Sequence, residues 1–173
     1  SKEVTGDNDS ETSEMLSGND DLSITSLKEV LGMRNKRQQT LLLLCAGEKH
    51  NQLMKAICQS GQLTKTVLEE ALAEQGPDGE TPLALCQDEE VLVAILKSVD
   101  LEKIGITKVD KKGKNLLHNI AQRDFNLAME HIISRLPATQ LQDLLLQPSI
   151  SNNSNVLMSA ATHSSEKCLK LML

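Results

Sequence analysis

The most reactive side chains in this 173-residue chain belong to four cysteines and four histidines. Cys45 and His50, five residues apart, could suggest a thiol–imidazole pair, the arrangement that activates a cysteine nucleophile. Residues five apart do not share a helix face, so we expect a core thiol and a separate surface imidazole. His131 and His163 have no carboxylate or thiol at a spacing typical of a metal site.

The common catalytic motifs are missing from the sequence. It contains no G-x-x-x-x-G-K phosphate loop, no G-x-S-x-G nucleophile turn and no H-E-x-x-H pair. The cysteines form neither a C-x-x-C pair nor a zinc-binding spacing with histidine. We therefore expect a protein that is not an enzyme and has no catalytic, cofactor-binding or metal-binding residues.

The cysteines fit a packed core better than they fit redox chemistry. Cys45 and Cys86 each precede or follow apolar, helix-spaced residues, and Cys168 lies on the apolar stripe of the last helix. Cysteine behaves as a small hydrophobic residue at such positions. Free core thiols indicate a reducing compartment, so the expected location is the cytoplasm, the nucleus or both.

Basic residues form two clusters that could bind an acidic protein segment. A solvated surface is the alternative interpretation, and the intervening residues 76–79 are not basic. Cations concentrated on a domain that is otherwise neutral create a local field that steers association. The candidate partner-binding residues are Arg34, Lys36 and Arg37 in the first cluster and Lys108, Lys111, Lys112 and Lys114 in the second.

Residues 1–25 differ in composition from the rest of the chain. They carry seven acidic residues against Lys2 alone, which accounts for the whole net charge of −6. With frequent Ser and Thr and few apolar residues, this tail is expected to be largely disordered. Order is expected from Ser26, which with Glu29 forms a capping pair for a short helix ending at Gly32.

The remaining residues, 26–173, have the composition of one all-α domain. Leu, Ala, Ile, Val and Met supply most of the apolar content, and no alternating strand pattern is evident. Phe125 is the only aromatic residue, which leaves no surface for stacking bases, so direct nucleic-acid binding is not expected. No apolar run is long enough to predict a membrane span.

One stretch, residues 110–118 (DKKGKNLLH), shows how the helices are arranged. Asp110 and Gly113 favour a tight turn, and Asn115 is suited to cap the helix that follows. A second helix then carries an apolar stripe that it cannot bury alone. Its members are Leu127, Ala128, Met129, Ile132 and Ile133.

Similar units occur three more times, at 40–46 (TLLLLCA), 79–86 (GETPLALC) and 155–161 (NVLMSAA). The aligned turn residues are Gln38, Gly79, Gly113 and Asn153, with spacings of 41, 34 and 40. The turn, the T-P-L-H-like helix start and the paired helices resemble the ankyrin repeat, whose period is about 33 residues. The second unit is about two residues short between its helices.

The resemblance implies a helical solenoid of about four irregular repeats, near residues 34–75, 76–109, 110–150 and 151–173. The long spacings predict extra short helices at 63–73, where Thr66 and Glu69 suggest a capping box, and at 137–146. A HEAT-like or armadillo-like solenoid is the alternative architecture. Irregular repeats behind an acidic tail also resemble, in layout, proteins of the inhibitor-of-NF-kappaB type.

In proteins of this resemblance the turns project as a row of fingers, and the fingers and the first helices bind other proteins. The expected function is therefore an intracellular protein-interaction module, an adaptor or a regulatory subunit. The alternative is an architectural spacer or an oligomerisation domain of a longer helical-repeat protein. His118 occupies the histidine position of the motif, where the ring is expected to tie neighbouring repeats together.

The last predicted helix carries several apolar residues with no capping signal after them. Repeat stacks require a polar outer face on their terminal unit. We therefore expect a terminal interface, covered by further repeats or by self-association. Its residues are Leu169, Leu171, Met172 and Leu173.

Overall fold

A computed structural model describes residues 27–173 and shows an all-helical architecture. The predicted tail, 1–25, and Ser26 lie outside the described residues. Residues 27–173 contain no strand, and none of their helices is long and apolar enough to cross a bilayer. Residues 27–32 form α1, followed by α2 (Leu41–Gly47), α3 (Asn51–Cys58), α4 (Lys65–Ala73), α5 (Pro82–Leu85), α6 (Glu89–Leu96), α7 (Leu116–Gln122), α8 (Asn126–Ile133), α9 (Ala138–Leu146), α10 (Val156–Thr162) and α11 (Glu166–Met172).

The helices pack in two layers that follow the order of the sequence. We call α2, α5, α7 and α10 the first helices, and each contacts the next first helix along the chain. The second helices, α3, α6, α8 and α11, contact one another in the same order. Helices α4 and α9 pack beside the first helices α5 and α10. The apolar stripes of neighbouring helix pairs thus cover one another.

Each first helix begins at a side-chain cap, and the cap at Asn115 confirms its prediction. Thr40, Thr81, Asn115 and Asn155 each accept a hydrogen bond from the backbone N–H three residues later. These bonds satisfy N–H groups that have no partner inside the helix. Pro82 occupies the first turn of α5, where its missing N–H costs little.

The four turns before the first helices share one backbone conformation. Gln38, Gly79, Gly113 and Asn153 have φ angles of 61°, 79°, 74° and 54°. The left-handed conformation therefore persists in the first and fourth units, although neither has glycine there. The shared angles support the alignment of the four units independently of residue type. We call the turns fingers 1 to 4, at residues 35–39, 76–80, 110–114 and 149–154.

The interval from the turn to the second helix is shorter in the second unit than in the other three, and the predicted shortening of about two residues is corrected to three. The second helix begins thirteen residues after the turn residue in units one, three and four, but ten after Gly79. The three missing residues correspond to the last turn of the first helix, because α5 has four residues where α2, α7 and α10 have seven. Arg123 Nη1 donates to the Ala84 carbonyl at 3.0 Å and so satisfies the end of this short helix.

The extra helices are present, but the predicted capping box in the first of them is wrong. Thr64, not Thr66, caps α4 by accepting from Val67 N. Glu69 is 2% exposed and accepts instead from Asp100 N at 2.8 Å, which ties α4 to the next unit. In the second unit a series of turns replaces the extra helix. It buries three residues that the helical periodicity does not reveal, Leu101, Ile104 and Ile106.

Two second helices receive their N-terminal caps from the preceding unit. Glu89 Oε1, at the start of α6, accepts from Leu127 N at 2.6 Å and Ala128 N at 3.3 Å in α8. Asp124 Oδ1, before α8, accepts from Cys168 N at 3.0 Å in α11. Carboxylates are well suited to this position because the N-terminus of a helix is partially positive. Units two and three therefore each cap a helix of the unit that follows.

Replacing Gly113 with alanine is expected to lower the free energy of unfolding by about 1–2 kcal/mol. A Cβ atom would lie 2.7 Å from Ile150 N and 2.8 Å from Ile150 Cγ1, at a φ of +74°. Chemical denaturation would measure the loss. The control is Gln38→Gly. This change removes the strain of a non-glycine residue at positive φ and adds no atoms, so it should not destabilise the chain. Similar losses in both variants would contradict this account.

Candidate interaction surface

The four fingers project from the starts of the first helices, and hydrogen bonds connect three of them. Lys111 N donates to Asp78 O at 2.8 Å, which joins fingers 2 and 3. Ile150 N donates to Lys112 O at 2.7 Å, which joins fingers 3 and 4. We call the exposed side of the four fingers the finger edge. Its residues are held by backbone contacts, so a partner would meet a preformed surface.

Two of the seven predicted binding cations, Arg34 and Lys108, form contacts within the folded domain. Arg34 donates to Gln38 O at 2.7 Å and Gln75 O at 3.1 Å, and it pairs with the Glu74 carboxylate at 2.5 Å. Lys108 Nζ donates to Ala73 O at 2.7 Å, at the end of α4. Arg34 thus binds groups of its own unit and Lys108 binds a group of the preceding unit, roles that the sequence does not reveal.

The other five predicted cations lie in fingers 1 and 3. Lys111 Nζ is 3.4 Å from Asp78 Oδ1, but both side chains are mostly exposed, so the pair is weak. Within residues 27–173, Lys36, Arg37, Lys112 and Lys114 form no ion pair with a carboxylate. Lys114 is half-buried and the other three are exposed. These four residues supply the positive charge of the finger edge that no carboxylate in the described residues neutralises.

The positive charge falls into two patches, because finger 2 carries acids. Asp78 and Glu80 lie between the cations of fingers 1 and 3, and Glu80 Oε2 accepts from Asp78 N at 2.9 Å. An open depression of about 360 Å³ separates fingers 2 and 3, with Leu85 in its lining. The finger edge thus alternates in sign and offers an apolar contact beside charged residues.

The four thiols are buried and free, in agreement with their prediction as core residues. Burial raises the pKa of Cys45 and of Cys86, and it raises the pKa of Cys58 and of Cys168 to about 12. These thiols therefore stay protonated at neutral pH, which is unsuitable for a nucleophile. His50 contacts Cys45 only through its backbone N–H, which donates to the Cys45 carbonyl at 2.8 Å.

The described part of the chain brings no three histidine, cysteine or acidic side chains together as metal ligands. His131 lies beside Arg135, and the ring of His163 contacts the Ser159 carbonyl at 2.9 Å. Arg135 itself donates to Leu96 O at 2.8 Å and Val99 O at 3.1 Å, across the boundary between units two and three.

His118 connects units three and four. Its ring is fully buried, with Nδ1 3.3 Å from Asn115 N and 2.9 Å from Asn115 Oδ1, and with Nε2 3.2 Å from the Ser154 carbonyl oxygen. Burial lowers the pKa of His118 below its ordinary value of 6.5. The predicted role of this histidine in tying neighbouring units together is present in the structure.

Stability should consequently fall as the pH drops below about 6.5. In the unfolded chain His118 binds a proton near that pH, whereas the folded state binds it only at lower pH, so acid favours unfolding. The partly buried His131, whose pKa burial also lowers, acts in the same direction. Denaturation of the original chain and of His118→Gln between pH 7.5 and 5.5 would test this. Equal pH slopes would exclude His118 as a contributor.

The four predicted terminal residues differ in exposure. Leu169 and Met172 are half-buried against the core, whereas Leu171 is 39% exposed and Leu173 is 90% exposed. Sequence analysis missed three further members of this surface on α10, namely Leu157, Met158 and Ala161. The 40-residue interval was the available signal, because it aligns them with Leu117, His118 and Ala121 of α7.

No protein-family model matches the chain, and no curated protein matches it.

Proposed function

We propose that residues 26–173 form an ankyrin-like helical solenoid of four irregular units, at 34–75, 76–109, 110–150 and 151–173. The support is the packing of first helices on first helices and second helices on second helices in chain order. The recurring left-handed turn residues are a second support. Each unit contacts mainly its neighbours, as in repeat proteins.

We further propose that the protein is an intracellular interaction module that binds an acidic protein segment along the finger edge. The observation that carries this proposal is the set of four cations without carboxylate partners in the described residues: Lys36, Arg37, Lys112 and Lys114. Because backbone bonds hold fingers 2 to 4 together, binding there requires little ordering of the protein. The four buried free thiols are consistent with a cytoplasmic or nuclear location.

Reversing the charge of finger 3 is expected to weaken partner binding by about tenfold, or about 1.4 kcal/mol. The variant is Lys112→Glu with Lys114→Glu, and neither lysine side chain has a hydrogen-bond or ion-pair role in the described structure that would threaten folding. The measurement is the quantity of each protein retained from a lysate of the native cell by the immobilised full chain. Retention should also decrease with added salt.

The matched control for finger 3 is Lys49→Glu. Lys49 is exposed in the loop after α2, at the opposite end of that helix from finger 1. Retention should be normal for this variant. If the control and the finger variant retain the same proteins equally, the finger edge is a solvated surface. Retention of the chain alone would favour the oligomerisation domain, the second candidate, for which the exposed Leu171, Leu173 and Met158 are the supporting observation.

A further inference from the structure

The excess negative charge of this chain belongs to one segment. Residues 1–25 carry seven acids and a single lysine, whereas residues 26–173 carry equal numbers of acidic and basic side chains. We call residues 1–25 the acidic tail, and it directly precedes α1. Its acids are Glu3, Asp7, Asp9, Glu11, Glu14, Asp20 and Asp21.

The chain enters the described domain beside finger 1. Lys28 in α1 pairs with Glu70 at 3.0 Å, and Arg34, two residues after α1, pairs with Glu74. Glu70 and Glu74 are four residues apart at the end of α4, so they lie about 6 Å from each other. Arg34 also donates to the Gln38 carbonyl of finger 1 at 2.7 Å. Both ends of α1 therefore lie against α4, close to finger 1.

Finger 1 presents two cations at the tip of a closed turn. Lys36 and Arg37 are exposed there, and neither pairs with a carboxylate within residues 27–173. The turn is closed by hydrogen bonds from Gln38 N to Asn35 O and from Arg37 N to Asn35 Oδ1, both at 2.9 Å. An acidic segment can therefore bind the tip without reordering the finger backbone.

The acids nearest to α1 are within reach of this tip. Asp21 is six residues before Leu27, and an extended chain spans about 3.5 Å per residue, so Asp21 reaches about 20 Å from the start of α1. Glu14 reaches about twice as far. A short tether raises the local concentration of the attached segment to about the millimolar range, at which weak ion pairs are populated.

We propose that the acidic tail binds Lys36 and Arg37 of the same chain and so competes with an acidic partner for finger 1. Glu14, Asp20 and Asp21 supply the carboxylates. The competition rests on the function proposed above, whereas the contact between the tail and finger 1 does not.

Finger 2 confines the tail to finger 1. Asp78 and Glu80 lie between the two positive patches, and they repel an acidic segment that continues toward finger 3. Lys112 and Lys114 therefore remain accessible to a partner while the tail is bound. The tail lowers the affinity of the finger edge for acidic segments without closing the whole edge.

Carbodiimide cross-linking of the monomeric full chain tests the contact itself, because this reagent joins a carboxylate directly to a lysine amine that touches it. Mass spectrometry after digestion should find the tail acids joined to Lys36 about fivefold more often than to Lys49. Lys49 is the matched control, since it is also exposed but lies at the far end of α2. The yield at Lys36 should fall with added salt.

A variant separates specific binding from mere closeness along the chain. Arg37→Gln removes one cation of the tip and should lower the yield at Lys36 about threefold, whereas closeness alone would leave the yield unaltered. Equal yields at Lys36 and Lys49, or a yield at Lys36 that Arg37→Gln does not change, would overturn the proposal.

The competition is measured with a fluorescein-labelled peptide of ten glutamates as the probe. Fluorescence anisotropy at low salt gives its affinity for the full chain. Neutralising the tail by Glu14→Gln, Asp20→Asn and Asp21→Asn should raise that affinity about threefold. In a chain that also carries Lys36→Gln and Arg37→Gln, neutralising the tail should leave the affinity unaltered.

The matched control for neutralisation is Glu48→Gln with Glu90→Gln and Glu130→Gln. These changes remove the same three charges from exposed positions in the second helices and in the loop before one of them, so the affinity should change less. An equal gain in both triple variants would overturn the competition, because net charge alone would then explain it. A probe that binds none of these chains would contradict the proposed function, and the cross-link yields would still decide whether the tail binds finger 1.

Discussion

Replacing Leu117 with alanine is expected to lower the free energy of unfolding by about 2–5 kcal/mol. Leu117 is 0% exposed in α7, between the third and fourth units. Truncation removes its buried apolar contacts and leaves a cavity that rigid neighbouring helices cannot fill. Urea denaturation followed by circular dichroism would measure the change. A loss of this size is a large part of the stability of an ordinary domain.

The chain contains its own control for this experiment. Leu157 holds the same position in α10 but is only half-buried. Leu157→Ala should therefore cost clearly less than Leu117→Ala, although the two substitutions remove the same atoms. Equal losses would mean that the outward sides of α7 and α10 are equally packed, and the four-unit register would be wrong.

Enlarging Ala121 to leucine is expected to destabilise the chain by about 1–3 kcal/mol. Ala121 is 0% exposed where α10 approaches α7, so three added carbon atoms must displace a neighbouring helix. Ala160→Leu should have a similar effect, because Ala160 is also 0% exposed. Melting temperature and urea midpoint would both report the loss.

The control for overpacking is Ala161→Leu, at the counterpart of Ala121 in α10. Ala161 is exposed, so the larger side chain has room and should change stability little. Unaltered stability in Ala121→Leu as well would show that the first helices are not closely packed.

Local signals in the sequence were sufficient to predict most helices, and each cap of a first helix is a local contact. The caps Thr40, Thr81, Asn115 and Asn155 act within three residues of their own positions, so neighbouring residues determine them. The choice between Thr64 and Thr66 could not be made in this way. The carboxylate that suggested Thr66 belongs to Glu69, whose partner Asp100 is 31 residues away.

The roles of the surface charges depended on tertiary contacts and could not be predicted. Arg34 and Lys108 look like their neighbours in sequence, but their acceptors lie up to 41 and 35 residues away. The left-handed conformation of Gln38 is a related case, because only its alignment with Gly79 and Gly113, and not its residue type, indicated a turn there. The exposure of the last residues was predicted only in part, because Leu169, Leu171, Met172 and Leu173 are all apolar but only Leu169 and Met172 are half-buried.

The capping of one unit by another has a consequence for the chain during its synthesis. Glu89 precedes the N–H groups of Leu127 and Ala128 in sequence, and Asp124 precedes that of Cys168. The acceptor therefore leaves the ribosome before the helix that needs it. Since domains fold from the amino end as they are made, α8 and α11 each meet a carboxylate already in place. We expect nascent chains that stop after α8 to hold a stable α8, and chains beginning at α7 to have a frayed one.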